Sequence, residues 1–424
     1  MPDEPQSRKG AIGAFFRDLG PGLITGAADD DPSGISTYSV AGATFGLVPL
    51  WTALFSFPLM VAVQLMCARL GMVTGRGLAG NIRRRFPRWV MWSACGILLV
   101  ANIFNIGADL GGMGDAMELV THVPAVVWSP VFALGLVAMV VFASYKQVAR
   151  IFKWLTLVLF AYVITAFLAA PDWGRVLKAT LVPEIHWSSE FFAVLTGILG
   201  TTISPYLFFW QSSQEVEEER ELGRVTVAER QGATDAELSA SRRDVMTGMF
   251  FSNSVMFFII LTTAATLHAH GLTKIATAKE AAEALRPLAG DGAYLLFTLG
   301  IVGTGLLAVP VLAGSCAYAV AESANWGAAS LNRPLKLAPK FYGVLAVAVA
   351  VGMVSSLAGL NAVKMLFWSA VLNGILAPPL IVLVLLLTSD GAVMGERKNS
   401  RLITVLGWVC AGLMTACAVG SFMG

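Results

Sequence analysis

Three consecutive carboxylates, Asp29, Asp30 and Asp31, are followed at once by Pro32, Ser33 and Gly34. The run is embedded in apolar sequence: from Leu19 to Leu54 the chain reads LGPGLITGAADDDPSGISTYSVAGATFGLVPLWTAL. A charged carboxylate at the centre of a bilayer costs about 3 kcal/mol on insertion scales. Such a run therefore needs a cation or a wet cavity to receive it. Pro32 removes a backbone donor and Gly34 loosens the helix further. Together they predict a helix broken at membrane depth, where a carboxylate and freed backbone carbonyls converge on a cation. Asp31 stands at the break and supplies the hard oxygen that a divalent ion prefers. The competing reading is an Asp that caps the following helix and pairs with a distant Arg. Residues one and two positions apart on a helix face different ways, so Asp29 and Asp30 cannot both join Asp31 as ligands. Vestibule wall, cap and ligand stay open for those two.

A second break is written at Thr201-Thr202-Ile203-Ser204-Pro205-Tyr206. Pro205 interrupts the helix, and the Ser204 hydroxyl and the carbonyls near Thr201 offer oxygen only. The alternative for each is a hydroxyl bonded to its own helix, a common habit in membranes.

The elements that must position these residues follow from apolar run length. A charged fraction of 13%, a hydrophobic fraction of 56% and a mean hydropathy of +0.71 set the chain apart from soluble domains, which carry about 25% charged residues. At about 20 residues per crossing, eleven spans are expected. They lie near 20–45, 48–71, 90–117, 125–143, 150–170, 191–214, 244–268, 292–322, 338–359, 365–388 and 401–423. The two breaks fall in spans 1 and 6, five spans apart, and an odd offset inverts the second set. Inverted repeats with paired broken helices place a site at the midplane between them. The expected division is a tail at 1–18, a first repeat at 19–171, and a second at 190–388 with a charged linker at 215–243. A final span follows at 401–424. Twenty-three of the 29 basic residues fall in alternate segments. By the positive-inside rule, this puts the N-terminus in the cytoplasm and the C-terminus outside.

Family resemblance enters with these motifs. GPGLITGAADDDPSGISTY resembles the first helix of the Nramp family of divalent-metal transporters, whose signature there is Asp-Pro-Gly-Asn. GILGTTISPYLFFW is similar to that family's sixth helix, where Met-Pro-His stands in place of Ser204, Pro205 and Tyr206. LGIVGTGLLAVPVLAGSCAYAVAES resembles the eighth more loosely. The resemblance implies an all-α polytopic membrane protein with a LeuT-like inverted 5+5 repeat and broken helices 1 and 6. It also implies Asp31 as a metal ligand and Thr201 as a carbonyl donor. The family's Asn ligand is replaced by Gly34 and its Met ligand by Ser204. Losing a thioether removes a preference for softer transition metals. Two smaller side chains enlarge the site, which suits an ion that keeps part of its water, as Mg²⁺ does. Tyr206 replaces a His that titrates near neutral pH. On the third span, Asp109 matches a family Asp while Gly112 stands where the family has Glu. These departures imply Mg²⁺ and Mn²⁺ transport without proton coupling and resemble the Nramp-related magnesium transporter branch. The alternatives are a proton-coupled Mn²⁺/Fe²⁺ importer of the usual Nramp type and a LeuT-like amino-acid carrier. Three anions at the break would repel an amino acid's carboxylate, which argues against the latter.

The remaining features have plainer readings. Asn373, ahead of Pro378 and Pro379, is a candidate for the outer shell of the site. Glu215, Glu217, Glu218 and Glu219 are expected on a solvated helix extension. Five cysteines without CxxC spacing read as packing residues. Trp51, Trp89, Trp92, Trp128, Trp173 and Trp187 fall near span ends, as an interfacial belt would. Four histidines and no HExxH motif argue against an intramembrane metalloprotease, and no enzyme activity is expected. No cofactor is expected beyond the transported ion. The expected partners are that ion and a lipid bilayer, with no sign of nucleic acid at a net charge of +2. A bacterial plasma membrane is the expected location.

Overall fold

A computed structural model describes residues 21–142, 156–327 and 330–423. The N-terminal tail, and Lys146, Arg150 and Lys153 of the charge pattern, lie outside the described residues. Among those described there is no strand. The longer helices are α1 (Pro21–Asp29), α2 (Pro32–Phe45), α3 (Trp51–Thr74), α4 (Leu78–Arg85), α5 (Arg88–Thr121), α6 (Ala125–Phe142), α7 (Phe160–Leu168) and α8 (Trp173–Leu181). They continue with α9 (Ser189–Thr202), α10 (Pro205–Glu221), α11 (Asp235–Thr266), α12 (Ala293–Ser323), α13 (Pro339–Ser356), α14 (Ala362–Ser389) and α15 (Arg401–Gly420).

Among the described residues, nine helical stretches are long and apolar enough to cross a membrane unaided. Two further expected spans account for the rest of the eleven. The first is split into α1 and α2, of 9 and 14 residues, each too short to cross alone. The fifth, described only from Thr156 onward, is helical to Leu168.

Both breaks occur where proline demands them. Asp31 has extended backbone angles (φ −69°, ψ 170°) as the N-cap of α2, with Pro32 in the first helical turn. Ser204 (φ −76°, ψ 136°) plays the same part for α10, with Pro205 next. Proline is tolerated in a first turn because its missing N–H would have had no partner there. The residue before it is pushed out of helical geometry.

The segments between helices gather alternately at two ends. At one end Arg85 Nε bonds Asp390 Oδ2 at 2.6 Å, Gly80 N donates to Glu322 Oε2 at 2.9 Å, and Ser330 Oγ donates to Glu217 Oε2 at 2.6 Å. At the other, Trp51 Nε1 donates to the Glu184 carbonyl at 3.2 Å and Asn361 Nδ2 to the Ala276 carbonyl at 2.7 Å. The first end carries Arg83, Arg84 and Arg85 and is called the basic face below.

One expectation fails at that face. The Glu215–Glu219 stretch is solvated only at Glu218: Glu215, Glu217 and Glu219 are buried, each under 5% exposed. Helix α10 continues to Glu221 and α11 begins at Asp235, so the linker between them shortens to 222–234. The acids are held by specific partners. Glu217 pairs with Arg220 at 2.5 Å, and Arg224 bridges Glu219 and Glu237. Paired and hydrogen-bonded carboxylates tolerate burial that lone ones would not. All five cysteines are buried and free, as packing residues should be.

Candidate metal-ion site

The carboxylates of the first break separate onto two neighbours. Asp31 turns toward α5, where Asn105 Nδ2 donates to its Oδ2 at 2.9 Å. Its Oδ1 accepts from Gly34 N at 2.7 Å and lies 2.9 Å from Ser33 Oγ. The capping half of the competing reading therefore holds, while its distant Arg is replaced by neutral donors. Asp29 and Asp30 turn toward α11. Ser252 Oγ donates to Asp29 Oδ2 at 2.6 Å and lies 3.2 Å from Asp30 Oδ1. Asp31 thus turns away from the other two, while the adjacent Asp29 and Asp30 meet at the same Ser252 hydroxyl.

Asp109 joins the Asp31 side. Ser33 Oγ sits 3.5 Å from Asp109 Oδ1 and 2.6 Å from Asn105 Oδ1. Ser369 Oγ, from α14, lies 2.9 Å from the same Asn105 oxygen. Asp29, Asp30, Asp31 and Asp109 are all under 5% exposed. Asp29 Oδ1 and Asp109 Oδ2 have no hydrogen-bond partner among the described residues. Buried oxygens of this kind call for an explanation.

The second break is tied to the first through two tyrosines. Tyr206 Oη donates to the carbonyl of Ala28, in the last turn of α1, at 2.8 Å. Tyr38, on α2, meets Thr201 Oγ1 at 2.9 Å. A Cβ built on Gly34 would lie 3.4 Å from Asp31 Oδ1, from the Asp29 carbonyl and from Tyr38 Cε2. Gly34 is therefore in close contact with Asp31 and Tyr38, and Tyr38 in turn reaches Thr201. Ser204 behaves differently from a free ligand. Its hydroxyl lies 2.7 Å from the Gly200 carbonyl and 2.6 Å from the Thr201 carbonyl, satisfying groups released by the break. A carbonyl oxygen has two lone pairs, so Thr201 keeps one for a further partner. Asn373 is buried on α14, and its Oδ1 is unpartnered among the described residues.

Sequence reasoning missed Asn105 and Ser252, which hold the acids in place, and Ser369, which bonds Asn105. The available signal was position: Asn105 precedes Asp109 by four residues, one helical turn, inside an apolar span. A polar side chain there seldom lacks a function.

Small residues close the approach from the basic face. A Cβ on Gly26 of α1 would come within 2.3 Å of the Gly248 carbonyl of α11, so the two backbones are in contact. Asp244 accepts from Gly22 N at 2.6 Å and from Leu23 N at 3.2 Å, capping the start of α1. Beside it lies a cavity of about 150 Å³ edged by Glu215, Glu218, Glu219 and Glu237. Among the described residues, no three His, Cys, Asp or Glu side chains are grouped to hold a metal ion. The groups that meet at the break offer carboxylate, hydroxyl, amide and carbonyl oxygens, a donor type that suits hard cations.

Residues 22–424 match the family model described as natural resistance-associated macrophage protein-like, Nramp. A histidine-to-alanine mutant of the Eremococcus coleocola manganese transporter superposes with a TM-score of 0.73 at 19% identity, covering 98% of this chain and 88% of that one. Mhp1, a nucleobase-cation-symport-1 family transporter, gives 0.60 at 13% identity, covering 96% and 90%. MhsT in complex with L-phenylalanine gives 0.58 at 13%, covering 100% of both chains.

Proposed function

Because the chain belongs to the Nramp family, and hence to a family of divalent-metal transporters, we propose that its cargo is Mg²⁺, with Mn²⁺ also accepted, carried partly hydrated and without proton coupling. The observation that carries this reading is the buried Asp31 carboxylate at the break, met by the neutral donors Gly34 N, Ser33 Oγ and Asn105 Nδ2, with no side-chain donor from Gly34 beside it. The Ser204 hydroxyl, engaged by its own helix, adds no soft donor. Asp31 supplies the charge, the Thr201 carbonyl one direct oxygen, and water fills the positions that Gly34 and Ser204 leave. Tyr206 holds the Ala28 carbonyl and does not exchange protons near neutral pH.

Transport proceeds by alternating access. In this reading 19–171 and 190–388 are the two inverted repeats and 401–424 is accessory. The bundle of α1, α2, α3, α9, α10 and α11 rocks against the remainder, with the basic face cytoplasmic, the N-terminus inside and the C-terminus outside. The location is a bacterial plasma membrane.

The double variant Gly34→Asn/Ser204→Met tests the specificity. It restores an amide oxygen and a thioether beside Asp31, so Mn²⁺ and Cd²⁺ affinity should rise relative to Mg²⁺ by about tenfold, a 1.4 kcal/mol change. An unchanged ratio, in protein that folds and binds metal, would mean that neither side chain faces the ion.

A further inference from the structure

A groove unrelated to the ion path lies on the outer wall, where α3, α11 and α15 meet. It encloses about 730 Å³. Its α3 wall is a single face, Pro58, Val61, Ala62 and Leu65, with Arg69 one turn further on. That run of residues is about 16 Å long at 1.5 Å per residue. Leu402 and Leu406 of α15 form the opposite wall, and Arg242 of α11 is a second basic lining residue. The groove is thus apolar along its length and cationic at the basic face. Asp235, the one acidic lining residue, is already paired with Arg397. Arg69 donates to the carbonyls of Arg397 and Lys398. Among the described residues, neither Arg69 nor Arg242 forms an ion pair.

We infer that this groove binds one anionic glycerophospholipid, with its phosphodiester between Arg69 and Arg242 and an acyl chain along the Pro58–Leu65 face of α3. Two uncompensated guanidiniums from different helices match a phosphate better than a zwitterionic headgroup does, since Arg pairs with phosphate by directed, charge-assisted bonds. The apolar wall beneath them accounts for a lipid in preference to a soluble phosphate.

Native mass spectrometry of the full chain, equilibrated with equimolar phosphatidylglycerol and phosphatidylcholine, tests this. Wild type should retain phosphatidylglycerol in preference. Arg242→Gln, at an exposed position with no ion-pair partner among the described residues, should cut that preference about fivefold, the contribution of one basic side chain near an anionic headgroup. Arg69→Gln/Arg242→Gln should bring the two lipids to parity. Arg83→Gln/Arg84→Gln, on exposed residues of α4 outside the groove, should leave the preference unchanged. Excess glycerol phosphate should not displace the lipid. Equal retention by wild type, or a preference that survives loss of both arginines, would overturn the assignment. Displacement by glycerol phosphate would do so too, by showing a site for the headgroup alone.

Discussion

Asp31 divides its two oxygens between its own chain and a neighbour: Oδ1 caps α2 through Gly34 N, and Oδ2 receives Asn105 from α5. Cap and charge can be separated by mutation, because Asn caps a helix about as well as Asp. Asp31→Asn should therefore preserve yield and thermal stability while abolishing metal flux. Retained flux would mean that the carboxylate is structural. Asn105→Ala leaves Asp31 charged but removes a hydrogen bond to a charged group, worth about 1.5–3 kcal/mol. Apparent metal affinity should fall by about ten- to a hundredfold, read by isothermal titration; an unchanged affinity would show that Asn105 does not position the ligand. At this scale the sequence was legible where chemistry is local. Asp31 and Gly34 declared themselves by the break they flank. Asn105, Ser252 and Ser369 did not, because each acts on a residue more than sixty positions away, and no local pattern records such a partner.

The broken helices were readable because proline acts on its own neighbours, and both Pro32 and Pro205 open the helices expected of them. The stretch after the second break was misread because burial of Glu217 and Glu219 depends on Arg220, Arg224 and Ser330, and that of Glu215 on Gln211 and Ser241, contacts assembled only in the fold. Charge density in sequence does not distinguish a solvated acidic helix from a paired one. Packing between elements gives a sharper prediction. The α1–α11 contact has no space for a side chain at Gly26, and overpacking of this kind costs about 1–3 kcal/mol. Gly26→Val should lower the melting temperature in detergent and slow transport. Gly135→Val, at a position with open space around it, should alter neither. Equal behaviour of the two variants would mean that α1 and α11 are not in fixed contact.

Across the whole molecule, apolar run length located the spans, and the alternation of basic segments anticipated which segments share an end. The contacts of Arg85 with Asp390 and of Gly80 with Glu322 gather several of those segments at one face. What run length could not supply is the pairing of α9 with α14 or of α5 with α12 and α13, since helices hydrophobic on every side advertise no preferred neighbour. The central claim concerns what this assembly moves and what moves with it. Purified protein in liposomes, loaded with a metal-sensitive dye and a pH-sensitive dye together, reads both at once. Inward Mg²⁺ and Mn²⁺ gradients should each give a metal signal with no internal acidification. A signal for Mn²⁺ alone, accompanied by proton entry, would contradict the account and show that proton-coupled transport operates without the side chains replaced by Gly34, Gly112, Ser204 and Tyr206.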